Sequence, residues 1–291
     1  MTTVPAPKSI LVTGASTGIG KAAVLALLAR GFRVFAGIRD EAAATQLRIA
    51  APPASTDRLE TLTLDVTDAG QIAATANHLR EAVGVQGLWG LFNNAGISVN
   101  GPIEHLPIDG LRHQLEVNVI GQVAVTQVLI PLLRLARGRI VTTGSVAGFI
   151  ALPGLAPYAM SKHAIEAFSD SLRRELHPWG IEVSLLEPGA IATDIWQKGM
   201  NDADESLRRW PPQVLEHYGP LIKALRKAAT DSARRASPTE VVSRAVVHAF
   251  TASRPRTRYC MGRDSGIQKW ISRLPDRWAD NVLGKALGLG L

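Results

Sequence analysis

A chain of 291 residues with 46% hydrophobic content can bury one full core and lies within the span of a single α/β domain. One cysteine, Cys260, rules out an intramolecular disulfide, and no Cys/His cluster has metal-ligand spacing, so no metal site is expected. The net charge of +7 is concentrated late: residues 1–197 hold 15 Lys+Arg against 16 Asp+Glu, and residues 198–291 hold 17 against 9, without a recognition motif, which argues against a nucleic-acid partner.

Residues 1–8 show no basic stretch followed by an apolar run of signal-peptide length, and no window reaches about 18 consecutive apolar residues. A cytoplasmic, reducing compartment is the expectation. Short apolar runs at residues 9–13, 33–36, 59–64, 88–92, 139–143 and 182–186 read as buried strands. Between them, residues 20–30, 41–50, 69–83, 111–136 and 159–177 have helical length and periodicity. Alternating strands and helices predict a doubly wound parallel sheet of the Rossmann type, three layers thick, in one domain over residues 1–291. Residues 51–57 are a Pro/Ser loop. The stretch 190–236 mixes Trp196, Trp210, Tyr218 and Pro211–Pro212 with many charges just beyond the sixth strand. Ligands of open α/β sheets bind there, so a substrate lid is expected. Residues 237–291 should hold a C-terminal helix, the final strand and a basic amphipathic tail.

Two segments carry chemistry. Residues 13–20, TGASTGIG, join the first strand to the first helix, where glycines allow a tight turn and exposed N–H groups suit phosphates. The spacing differs from the usual G-x-G-x-x-G, and the signal is weak alone. Tyr158 and Lys162 lie four apart in a helical segment, so phenol and ammonium share one face; a neighbouring cation favours the phenolate and makes the pair a plausible acid/base. Taken alone, such a pair is more often a surface feature.

The ensemble decides between these readings. Asn93-Asn94-Ala95-Gly96 after the fourth strand, Asn118 in a long helix, Ser145 after the fifth strand and Pro188-Gly189 after the sixth follow in order. From about Lys8 to Thr193 the chain thereby resembles the short-chain dehydrogenase/reductase family. The resemblance implies a catalytic group of Asn118, Ser145, Tyr158 and Lys162. Tyr158 would exchange a proton with the substrate oxygen and Ser145 would hydrogen-bond it. Lys162 would bind the nicotinamide ribose and favour the tyrosinate, while Asn118 would anchor a water extending the proton path. It further implies cofactor contacts from Gly14, Ser16, Thr17, Gly18, Ile19 and Gly20, from Asp65 and Val66 at the adenine, and from Asn94, Ala95 and Gly96. Pro188, Gly189, Ile191 and Thr193 would flank the nicotinamide.

In the family pattern the acid that selects NAD falls at Ile38, and Arg39 follows; a guanidinium suits a 2′-phosphate, so NADP(H) is favoured and NAD(H) remains open, with Asp40 the complication. Residues 64–68, 88–96 and 168–176 are similar to the branch containing retinol dehydrogenases and 17β-hydroxysteroid dehydrogenases. An apolar alcohol or carbonyl substrate is therefore expected, bounded by Phe149, Ile150, Leu152, Leu155, Ile195 and Trp196. The alternative is a catalytically silent NADP(H)-binding redox regulator. The family also implies a homodimer or homotetramer through residues 111–136 and 159–177, where Gly121, Ala124, Ala164, Ala167 and Ser171 permit close helix approach. In residues 266–274, Ile267, Trp270, Ile271 and Leu274 recur with helical spacing. That amphipathic tail either docks on the domain beside the cleft or rests on an anionic membrane, where each basic residue contributes about 1 kcal/mol.

Overall fold

The computed structural model describes residues 7–193, 199, 205, 207–208, 210–263 and 265–289. Seven parallel strands make one sheet in the order β3-β2-β1-β4-β5-β6-β7: β1 (Ser9–Val12), β2 (Arg33–Ile38), β3 (Leu59–Thr63), β4 (Gly90–Asn93), β5 (Arg139–Thr143), β6 (Glu182–Pro188) and β7 (Arg258–Met261). Parallel strands are covered on both faces, which is why these segments read as near-continuous apolar runs. Strand order reverses between β1 and β4, so the loops leaving those two strands diverge and open a crevice at the carboxyl edge.

The helices are α1 (Gly18–Ala29), α2 (Glu41–Ala50), α3 (Ala69–Val83), α4 (Ile108–Leu115), α5 (Gly121–Ala136), α6 (Ala156–Leu176), α7 (Gln213–Arg235), α8 (Thr239–Thr251), α9 (Ser265–Ile271) and α10 (Asp276–Leu287). One face of the sheet packs on α1 and α8 through residues such as Val24, Leu28, Val246 and Phe250. The other packs on α3, α5 and α6 through Leu79, Leu129, Leu133 and Leu172. Helix starts follow local chemistry: the Asp40 carboxylate accepts from Ala43 N–H at 2.8 Å and Asp68 from Gln71 N–H at 3.0 Å.

Three boundaries differ from the sequence expectation for identifiable reasons. Strand β4 begins at Gly90, because Leu88 N–H is already committed to Leu132 O at 3.0 Å, outside the ladder. Helix α6 starts at Ala156, with Pro157 in its first turn, where a missing N–H costs nothing. The long helix starts at Ile108, and a π-helical turn, Glu116–Ile120, joins α4 to α5. The continuous stretch Ile108–Ala136 has the length and mean hydropathy (1.7) of a membrane span. Within it, Val125, Leu129, Leu132 and Leu133 are buried in the core, while Ile120, Val128 and Leu135 are exposed.

Gly121 brings α5 onto the loop after β3: a β-carbon there would lie 2.5 Å from Val66 O. This glycine faces inward and is not available to a subunit interface. Gly121→Ala is expected to destabilise by about 1–3 kcal/mol, because overpacking against backbone outweighs the helix propensity gained. At Gly266, with no neighbour within 4 Å, the same change should be neutral or stabilise by less than about 1 kcal/mol. Urea unfolding of the two variants checks the contrast.

Candidate active site

The turn between β1 and α1 is shaped by close approach. A β-carbon on Gly14 (φ +62) would sit 2.8 Å from Ala95 Cα, and one on Gly20 only 2.1 Å from Gly14 O. Thr13 is the hub that pulls the two loops together: its hydroxyl oxygen accepts from the backbone N–H of Asn94 (2.9 Å) and Ala95 (3.1 Å). Asn94 returns the contact by donating to Thr13 O and Gly14 O, each at 3.1 Å. Thr17, at the start of α1, makes no side-chain cap, so helix N–H groups face the cleft. An uncapped helix start beside a glycine cradle fits a dinucleotide pyrophosphate.

The cleft, about 760 Å³, is lined by Gly14, Ser16, Thr17, Gly18 and Ile19, by Arg39, Asp65 and Val66, and by Asn94, Ala95 and Gly96. Pro188, Gly189, Ile191 and Thr193 line it from beyond β6. Gly20 is not among the lining residues; its part is packing beneath the turn. Burial raises the Asp65 carboxyl, but the Thr67 N–H and hydroxyl, with the Arg39 and His113 charges, outweigh it and hold the group below the usual carboxylate range. The Asp40 carboxylate, the complication for cofactor choice, is engaged as the cap of α2.

Ser145, Tyr158 and Lys162 meet on the far wall of the same cleft. Ser145 follows β5, and Tyr158 and Lys162 lie one turn apart on α6. The Lys162 ammonium donates to Thr143 O at 2.7 Å and lies 5.6 Å from the Tyr158 ring centroid. Burial pulls Lys162 down to about 8. Burial also pushes the Tyr158 phenol up, opposed by its hydrogen bond with Ser145. Desolvation is the larger influence on the phenol at this wall.

Asn118 stands behind this wall, fully buried. Its Oδ1 accepts from Ile97 N–H (2.8 Å), and its Nδ2 donates to Ile97 O (3.0 Å) and Ser161 Oγ (3.1 Å). The side-chain amide therefore positions the Ile97 backbone and ties it to Ser161 of α6. Sequence reasoning missed its companions. Gln114 accepts from Val99 N–H (2.6 Å) and donates to Ile97 O (2.9 Å), and Gln122 donates to Ala95 O (3.0 Å). The Thr126 hydroxyl accepts from the Asn93 amide at 2.8 Å. Polar residues four apart on an otherwise apolar helix were the signal available.

The other half of the cleft is largely apolar, with Asn100, Arg226 and Gln268 among its polar members. Ile150, Leu152 and Leu155 line it from the loop before α6, and Leu207, Trp210, Ile222 and Leu225 from the stretch expected to be a lid. Trp210 sits 3.0 Å from where a β-carbon on Gly101 would be, and Leu225 2.6 Å from one on Gly154; both glycines have positive φ. Tyr218 donates to Glu104 at 2.7 Å, linking α7 to the opposite rim. The stretch leaves and rejoins the sheet at one point, with Ala192 N–H bonded to Ser237 O and Ser237 N–H to Ala190 O, both at 2.9 Å. Ile195 and Trp196 lie outside the described residues. Phe149 does not line the cleft, because its ring lies against the Lys269 ammonium, 5.6 Å from the centroid. Among the described residues no group of three or more His, Cys, Asp or Glu is arranged to hold a metal.

A parallel sheet with a glycine-lined helix start on one side of the strand reversal and a serine, tyrosine and lysine on the other defines an α/β oxidoreductase cleft. The family model described as short chain dehydrogenase matches residues 8–204, and the chain belongs to that family. It is 37% identical to the NADPH-dependent 3-dehydrocapnine reductase of Ornithobacterium rhinotracheale, over 95% of this chain and 96% of that protein. It is 41% identical to human retinol dehydrogenase 16, over 89% of this chain and 82% of the other. Among solved structures, a short-chain dehydrogenase from Streptomyces avermitilis superposes with a TM-score of 0.76 at 26% identity, covering 98% of each chain.

The depressed Lys162 has a measurable consequence. Below about 8 the amine is protonated in folded and unfolded chains alike and the full cost of burying it is present. Between about 8 and the unfolded value of 10.5 the unfolded chain binds more protons, so this group makes stability rise with pH. Lys162→Met is expected to stabilise the cofactor-free protein near neutral pH by about 1–3 kcal/mol and to flatten that rise. Urea unfolding across the alkaline range provides the measurement.

Proposed function

We propose that this chain transfers a hydride between NADP(H) and a bulky, apolar alcohol or carbonyl compound. The observation that carries the reading is the convergence of Ser145, Tyr158 and Lys162 in one cleft with the glycine turn and Arg39. A bound nicotinamide supplies or accepts the hydride. In the reducing direction Tyr158 Oη–H donates its proton to the carbonyl oxygen as negative charge builds there, and Ser145 Oγ–H donates a hydrogen bond to the same oxygen. The buried phenol stays protonated at neutral pH, the form that reduction uses. Lys162, held by Thr143 O, presents its remaining protons to the ribose side of the cleft. Ile97 and Ser161, fixed by Asn118, keep the two walls in register.

The apolar lining from Leu152, Leu155, Trp210 and Leu225 supports a lipophilic substrate, as do relatives named for 3-dehydrocapnine and retinol. Residues 190–236 act as the lid over it. Arg39 lines the adenosine end and Asp40 is occupied as a helix cap, which supports a 2′-phosphate over a free ribose. A homodimer or larger homo-oligomer is supported by Ile120, Val128 and Leu135, exposed along one stripe of the continuous helical stretch Ile108–Ala136. A monomer in light scattering at micromolar concentration would remove the oligomer from this reading.

Tyr158→Phe is expected to lower turnover by roughly 10² to 10⁴ while NADPH binding, followed by fluorescence, stays nearly unchanged. Retained turnover would take the phenol out of the mechanism. Arg39→Leu should reduce the NADPH over NADH preference in kcat/KM by roughly 10- to 100-fold, the loss of one charge-assisted contact. Asp40→Ala should leave the preference unchanged while costing about 1 kcal/mol of stability through the lost cap.

A further inference from the structure

The tail reading is split by the structure. In α9, Ile271 is buried and Leu274 beyond it half-buried, which docks the helix on β7 and on the Val146–Gly148 turn that follows Ser145. Lys269 is tied to the buried Glu187 at 2.9 Å. Ile267 and Trp270, at i and i+3 on the open side of the same helix, remain 65% and 63% exposed. Helix α10, packed against α7, repeats the pattern: Leu283 and Gly284 turn inward, while Trp278 (68% exposed) and Val282 (40%) share the outer face with Lys285.

Four large apolar side chains, two of them tryptophan, are thus exposed on the last two helices and left uncovered by the described residues. Arg263, Arg273, Arg277 and Lys285 are exposed around them, against the exposed acids Asp276 and Asp280. Gln268 and Leu287 of the same helices reach the cleft wall. We infer that the outer faces of α9 and α10 form a contact surface for an anionic lipid bilayer, seating the apolar half of the cleft at the membrane. Indole rings are favoured at the lipid–water boundary, and arginines and a lysine beside them favour negatively charged headgroups. A second copy of the chain fits less well, because a symmetric contact would bring the same basic face against itself. The inference does not depend on which alcohol is turned over.

Sedimentation of the intact protein with vesicles of phosphatidylcholine, alone or mixed with phosphatidylglycerol, tests it. Binding to the mixed vesicles should be at least roughly tenfold stronger at low salt and should be lost near 1 M salt, where screening reaches about 3 Å. Combining Trp270→Ser with Trp278→Ser should lower that binding at least roughly tenfold, with melting temperature and turnover of a water-soluble substrate retained. Equal binding to both vesicle types overturns the inference, as does unchanged binding by the double variant. Conversion of an oligomer to a smaller species by the same substitutions, seen by light scattering without any vesicle binding, assigns the surface to a second copy instead.

Discussion

Four polar side chains at four-residue spacing, Gln114, Asn118, Gln122 and Thr126, run along a helix that is otherwise apolar on its inner side. All four are buried, and they bond in turn to the segment from Asn93 to Val99. The segment leaves β4 as irregular backbone, whose N–H and C=O groups cannot be left unpaired away from water. Each satisfied bond contributes only about 1 kcal/mol, but an unsatisfied buried partner costs about 1–3 kcal/mol, so the arrangement is defended from both sides. A straight α-helix would carry residues four apart steadily round its surface. The π-helical turn Glu116–Ile120 holds more residues per turn and returns Asn118 and Gln122 to the row begun by Gln114. Through Ser161, the same row reaches α6, and the Tyr158 and Lys162 side chains take their positions from it.

A second set of contacts fixes α6 from the opposite end. Arg258 of β7 pairs with Glu166, with Asp170 at 2.9 Å and with Glu187 at 3.0 Å, and Lys269 of α9 completes the set on Glu187. Glu166 is one turn beyond Lys162. Burial raises its carboxyl and the Arg258 guanidinium opposes that rise. Removing Arg258 would leave Glu166, the more buried of its α6 partners, without its cation. The last strand and the helix after it are therefore fastened directly to the helix that carries the reactive phenol, and the far C-terminal segment is part of the architecture of the cleft.

Much of this was legible in the residues. Buried parallel strands announce themselves as apolar runs, and β1, β5 and β6 sit where the runs at 9–13, 139–143 and 182–186 place them, within two residues. The turn glycines and the Tyr158–Lys162 pair are local patterns and needed no tertiary knowledge. What stayed hidden depends on proximity. Trp210 meets Gly101, and Leu225 meets Gly154, across separations that no periodicity encodes. Phe149 looked like a lining residue by position, yet the Lys269 ammonium claims its ring, and Ile150 beside it faces the cleft. The burial of Tyr158 and Lys162 was likewise unreadable, because their spacing is written in the sequence and the extent of desolvation is not.

The paired hydrogen bonds at Ser237 bear on how this scaffold diversifies. Because the chain departs from the sheet at Ala190 and is stapled back at Ser237, the entropy of closing the excursion is set at its base and grows only slowly with its length. That stretch, continuous in sequence and closed at its base by Ser237, adds Leu207, Trp210, Ile222 and Leu225 to an apolar wall begun by Ile150, Leu152 and Leu155. Change of length or side chains within that segment therefore bears on one wall of the cleft, while the glycine turn and the row of buried amides lie outside it.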